Sequence, residues 1–188
     1  MKHLYLILSV ILFSVTTEAQ KNASVEKSIN GIQTGFFGVW VHNETRLSNS
    51  IALRSEIGLD TGLFGGDYYK NVNFILFPTL NLEPRFYYNL NKRFNNDQSI
   101  LKNSGNFLSL KLNYTPDAFV ISSIESVSIA ENFSLIPKWG IKRTVGNHFT
   151  YELGIGIGFR KYFLKQYGFT SNKTETALDL HLRVGYTF

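Results

Sequence analysis

The chain has 188 residues, no cysteine, and 19 lysines and arginines against 14 acidic residues, for a formal net charge of +5. That length suits one domain, and the lack of thiols excludes disulfides, thiolate metal sites and lipid attachment through cysteine. The basic residues are scattered among acids without a dominant run, which argues against a nucleic-acid groove.

Residues 1–19 read as a signal peptide. Lys2 and His3 give a short basic start, Leu4 to Val15 is apolar apart from polar serines, and Thr17-Glu18-Ala19 is a passable cleavage site that leaves Gln20 first. The apolar run falls short of the roughly 20 residues that a spanning helix needs. Residues 20–30 form a polar lead-in, and 31–188 form the folded unit.

From Gly31 onward the pattern is that of strands. Gly31 to Val41 is rich in glycine, β-branched and aromatic residues, with an ambiguous facing, and a turn is expected at Ser48-Asn49. Ile51, Leu53, Ile57 and Leu59 then alternate with Ala52, Arg54, Glu56, Gly58 and Asp60. Thr61 to Asn71 reads as a loop of glycine, aspartate and aromatic residues. Val72 to Leu90 is the longest extended stretch, with Leu76 to Tyr88 on one parity and Glu83 and Arg85 on the other. Pro78 and Pro84 lie within it, so a bulge or bend is expected there. Asn91 to Gly105 reads as a turn or a short helical excursion.

Phe107 to Tyr114 is a strand that turns Lys111 away from Leu108, Leu110 and Leu112. Phe133 to Ile141 is another and carries Lys138, and Val145-Gly146-Asn147 is a turn. Tyr151 to Phe159 alternates with Glu152, three glycines and Arg160. Its Gly-x-Gly-x-Gly run is not a nucleotide loop, because no helix follows and every glycine falls on the polar parity. After a polar loop at Lys165 to Thr174 comes the clearest strand. Leu178, Leu180, Leu182, Val184, Tyr186 and Phe188 alternate with Asp179, His181, Arg183, Gly185 and Thr187.

Alternation alone fits a soluble sandwich with apolar faces inward, or a membrane barrel with apolar faces outward. Three features favour the barrel. The strands run to about nine to twelve residues, the length of a tilted crossing. Aromatics gather near strand ends, at Trp40, Phe86 to Tyr88, Tyr114, Trp139, Tyr151, Tyr162 and Tyr186, as an interfacial girdle requires. The chain also carries a signal and ends on an aromatic residue. The expected fold is all-β, an antiparallel up-and-down transmembrane β-barrel of eight strands. Seven are legible, and the eighth is either residues 21–30 with the start of the next stretch or Phe119 to Ile129.

Such a barrel is filled by its own side chains. Arg54, Glu56, Asp60, Glu83, Arg85, Lys111, Lys138, Glu152, Arg160, Asp179 and Arg183 share the inward parity and are nearly balanced in sign, which points to a plugged, ion-paired interior. The signal, the strand lengths, the inward charges and the closing Leu180-x-Leu182-x-Val184-x-Tyr186-x-Phe188 together resemble the small bacterial outer-membrane barrels of the OmpA/OmpX/OmpW type. That resemblance implies an outer-membrane location in a Gram-negative envelope, contact with outer-membrane lipid, and recognition of Tyr186 and Phe188 by the assembly machinery. It implies no catalytic, metal or cofactor residue.

A structural or surface-interaction role with a monomeric barrel is the first expectation. Two others stay open: a barrel-type lipid-modifying hydrolase using His42, Glu44, His148 or His181, though no Gly-x-Ser-x-Gly is present, and a soluble periplasmic barrel that binds a small apolar ligand. The loops around Phe64, Tyr68, Tyr69, Tyr167 and Phe169 are candidates for recognition.

Overall fold

The structure is a computed structural model that describes residues 23–66, 69–123 and 127–188. The expected signal peptide, residues 20–22 of the lead-in, Tyr68 and the side chains of Phe64 and Tyr69 lie outside the described residues. Nine strands make up the sheet: β1 (Ser28–Gly35), β2 (Gly38–Arg46), β3 (Ile51–Gly66), β4 (Tyr69–Tyr87), β5 (Gly105–Thr115), β6 (Ile121–Ser122), β7 (Asn132–Val145), β8 (Phe149–Tyr162) and β9 (Lys173–Thr187). One short helix, α1 (Leu90–Asn95), lies between β4 and β5.

All pairings are antiparallel, in the order β3-β2-β1-β9-β8-β7-β5-β4-β6, and an additional β3–β4 ladder closes the sheet into a ring. The two-residue β6 pairs with β4 at Ile75 and Leu76 and takes no part in closing the ring.

The stretch expected as one strand over Gly31 to Val41 is a hairpin. Its turn falls between Gly35 and Gly38, which face each other in register. Gly38 sits at φ 144°, and a β-carbon there would lie 2.0 Å from the Leu59 carbonyl oxygen, so only glycine makes the turn. β1 therefore begins at Ser28, inside the expected lead-in. The alternative extra strand at Phe119 to Ile129 shortens to Ile121–Ser122 among the described residues.

The expected loop at Thr61 to Asn71 is mostly strand, because β3 and β4 stay in register from Ile51↔Phe86 out to Phe64↔Asn73. The only shift in that ladder is at Phe64/Gly66, far from the prolines. The expected proline bulges are absent. The β4–β5 ladder instead drops out at Glu83–Pro84 and resumes at Arg85↔Ser109 in unchanged register, so the missing N–H costs ladder bonds without shifting the strand.

One end of the ring is closed. Ala23 and Val25 pack there with Ala52, Tyr87, Leu90 of α1 and Phe107 in an apolar cluster. The N-terminal segment is tied in by Val25 N to Asn49 O (2.9 Å), Glu26 N to Asn103 Oδ1 (2.7 Å) and Lys102 N to Glu26 Oε1 (2.6 Å). The opposite end carries the β1–β2 turn, the facing ends of β3 and β4, and the 163–172 connection.

Parity assigns the faces of β9 from Thr174 to Thr187. Leu178, Leu180, Leu182 and Val184 are 71, 54, 50 and 58 % exposed, whereas His181 and Arg183 are buried. Three expected girdle aromatics point inward instead: Trp40 and Tyr87 are buried among the charged residues, and Tyr162 shares the inward parity and hydrogen-bonds Glu175. Trp40 fits because Gly58 opposite it has no side chain. A β-carbon on Gly58 would lie 2.3 Å from Trp40 Cδ1 and 2.3 Å from the Val39 carbonyl oxygen. Gly58→Ala should therefore destabilise the fold by about 1–3 kcal/mol through overpacking, measured as a lower urea midpoint with a perturbed Trp40 near-UV signal.

Candidate functional site

The interior of the ring is built from charges. Glu152 on β8 is fully buried and accepts bonds from Gln33 Nε2 (2.8 Å), Arg54 Nη1 (3.1 Å), Arg85 Nη1 (2.9 Å) and His181 Nε2 (2.9 Å). Arg54 comes from β3, which is equally far from β8 in either direction round the ring, so that pair spans the diameter. Glu44 on β2 makes a second centre, accepting from Tyr87 Oη (2.7 Å), Asn103 Nδ2 (2.6 Å) and Lys142 Nζ (2.9 Å). Arg54 and Arg85 each lie 3.8 Å from Glu44 and so join the two centres.

Towards the open end Arg183 reaches Glu56 (2.7 Å), which also accepts from Arg54 Nε (2.9 Å) and Asn81 Nδ2 (3.0 Å). Glu83 accepts from Arg85 on its own strand (3.2 Å), Lys138 (2.9 Å) and Ser109 (2.6 Å). Lys111 reaches Asp179 (2.8 Å), with Lys138 3.5 Å away. Asp60 accepts from Trp40 Nε1 (2.7 Å) and Thr79 (3.2 Å), and Arg160 donates to Ser134 (3.0 Å).

All eleven residues expected inside thus lie on the inner face: nine are joined by ion pairs around Glu152, Glu83 and Glu56, and Asp60 is held by Trp40 and Thr79. Arg160 stands apart, with no ion pair among the described residues. Two of these cations also stack on aromatic rings: the Arg183 guanidinium lies 3.6 Å from the Trp40 ring centroid and that of Arg85 lies 4.3 Å from Phe107.

The sequence reading missed Glu44 and Lys142. Glu44 falls in the stretch that reads as a turn, and the expected strand over Phe133 to Ile141 ends one residue short of Lys142. The available signal was parity: Glu44 continues Trp40 and His42, and Lys142 continues Lys138 and Gly140.

The histidines do not form a hydrolase centre with a serine among the described residues. His42 is buried with neither ring nitrogen hydrogen-bonded, His148 bonds the Thr187 carbonyl oxygen through Nδ1 (2.8 Å) and stacks on Tyr186, and His181 lies between Glu152 and Lys138. No group of His, Asp and Glu among the described residues is arranged to hold a metal ion. Outside the ring, Tyr114 Oη and Gln166 Nε2 donate to Glu131 and hold its carboxyl below the usual glutamate range.

No protein family, curated protein or solved structure matches the chain.

Removing one partner of a buried pair leaves the others uncompensated. Glu152→Gln should therefore destabilise the protein by about 3–5 kcal/mol, read from urea unfolding. Lys173→Ala removes the exposed pair with Glu175 and should leave the midpoint unchanged.

Proposed function

We propose that the protein is an integral outer-membrane barrel with a filled interior, serving a structural or surface-interaction role. The observation that carries this is the inversion of its faces. Charged side chains are buried, while Ile57, Leu80, Leu108, Ile155, Leu180 and their neighbours cover the outside. A soluble fold would expose its charges and hide its leucines, and an outer surface this apolar wants hydrocarbon around it.

In this reading eight strands cross the membrane and β6 does not. β8 and β9 carry apolar outward residues from Phe149 to Phe159 and from Leu178 to Phe188, about the length of a tilted crossing. Exposed Tyr88, Trp139, Phe149, Tyr151 and Tyr186 gather towards the closed end, as an interfacial belt would, and Trp139 Nε1 donates to Tyr88 Oη (2.9 Å). The closed end then faces the periplasm, Tyr186 and Phe188 are the residues offered to the assembly machinery, and residues 1–19 direct export. Ring closure pairs every long strand with two neighbours over part of its length, so one chain suffices to span.

Two measurements test the proposal. Leu182→Arg puts a cation on the outer face and should weaken folding into lipid vesicles by about 2–4 kcal/mol if it lies near the midplane. No change in urea midpoint in vesicles, or recovery of the unaltered protein in a soluble periplasmic extract, would reject the membrane reading. In planar bilayers the purified protein should give no long-lived large conductance, because ion pairs cross the interior at several levels and an apolar cluster closes one end.

A further inference from the structure

The ring has a weak place in its wall. β1 meets β9 only from Gly31↔Thr187 to Gly35↔Arg183, and β2 leaves β3 at Gly38↔Asp60, with Thr61 N still bonded to Phe37 O (2.7 Å). Beyond the hairpin tip β9 continues to Lys173 and β3 to Gly66, with no β1 or β2 residue between them. The tip is level with Asp60 and Thr61 on the β3 side. On the β9 side it is level with Arg183, so Leu182, Leu180 and Leu178 all lie past it.

A notch therefore opens in the wall beside an apolar stretch of β9. A bare sheet edge facing hydrocarbon is unfavourable unless something covers it.

The notch leads into a cavity of about 360 Å³, within the size range of ligand sites. Its outer lining is Phe37, Leu178, Leu180 and Leu182, and its inner lining includes Trp40, Lys111, Arg160 and Arg183. Lys111 and Arg183 are already paired, with Asp179 and Glu56. Arg160 donates Nε to Ser134 and faces Glu175 across the β8–β9 ladder, but Glu175 is bonded by Lys173 and Tyr162, so the Arg160 guanidinium has no direct ion pair among the described residues. Asp60 and Asp179 are the lining carboxylates, so the lining cations outnumber them by one.

We propose that this cavity binds a single-chain amphiphile with an anionic head, drawn from the surrounding bilayer. The head meets the Arg160 guanidinium, and the alkyl chain leaves through the notch along Leu182, Leu180 and Leu178. The acyl carboxylate is the simplest such ligand: it accepts a bidentate pair from arginine, and its chain covers the leucines that the short hairpin leaves bare. This inference rests on the membrane reading.

Trp40 lines the cavity and the only other tryptophan, Trp139, faces outward. In the Trp139→Phe variant, folded into vesicles of unbrominated lipid, a brominated palmitate should quench Trp40 saturably. Arg160→Gln should weaken that binding about tenfold, the loss expected for one charged hydrogen bond, and Arg160→Lys should recover part of it. The brominated alcohol of the same chain should not compete. Absence of saturable quenching in a barrel that still migrates anomalously on unheated gels overturns the inference and leaves the membrane reading standing. Equal quenching by the alcohol, or undiminished binding in Arg160→Gln with the fold intact by the same gel assay, overturns the assigned head-group contact. Failure of the parent variant to enter vesicles at all rejects both readings together.

Discussion

A carboxylate removed from water must be met by donors or it will not stay ionised at low cost. Glu152 meets this condition with donors from β1, β3, β4 and β9, the largest set gathered by any acid in the ring. Much of the architecture follows from that gathering. Arg54 can cross the diameter only because the ring is narrow, and the ring is narrow only where inward side chains are short or mutually attractive. Glycines such as Gly58 leave room for Trp40, and Trp40 in turn supports the Arg183 guanidinium that holds Glu56. The interior is a set of interlocking charges, and its shape is fixed by direction-dependent bonds where an ordinary core relies on packing alone.

That interior also settles the outer surface. Side chains alternate across a strand, so filling one face with ions hands the other face to leucine, isoleucine and aromatics. The inversion is a single choice made once and repeated in every long strand. The apolar cluster of Ala23, Val25, Tyr87, Leu90 and Phe107 is the exception, and it sits where the N-terminal segment and α1 cover the end of the ring.

Strand parity made most of this legible in the sequence. From Ile51 to Phe188 the residues expected to face inward do so, including Arg54, Glu83, Lys138, Glu152 and Arg183. The first hairpin was hidden because Gly35-Phe36-Phe37-Gly38 looks like more strand: both flanking faces are apolar, and nothing but the backbone angle at Gly38 marks the reversal. Trp40 and Tyr87 were misplaced because an aromatic near a strand end fits a girdle as well as an interior, and parity decides between them only once the register is known. The proline bulges failed for a different reason. A strand can lose an N–H bond and keep its register when the ladder on its other side is continuous, as the β3–β4 ladder is past Pro78 and Pro84. The notch was invisible, since it arises from unequal strand lengths and not from any residue type.

The seam between β1 and β9 has a consequence for how the molecule forms. It joins the first strand to the last, with Ile32 opposite Tyr186, so its contacts carry the longest loop closure in the chain and raise the contact order. It is also the shortest ladder of those that close the ring. Backbone bonds there are too few to anchor the closure early, and the buried bonds that straddle the seam, Gln33 to Glu152 and Arg183 to Glu56, form only when both sides are already in place. The local hairpins from β1 round to β9 can form without that loop closure, whereas charge pairing across the seam and closure of the ring depend on each other.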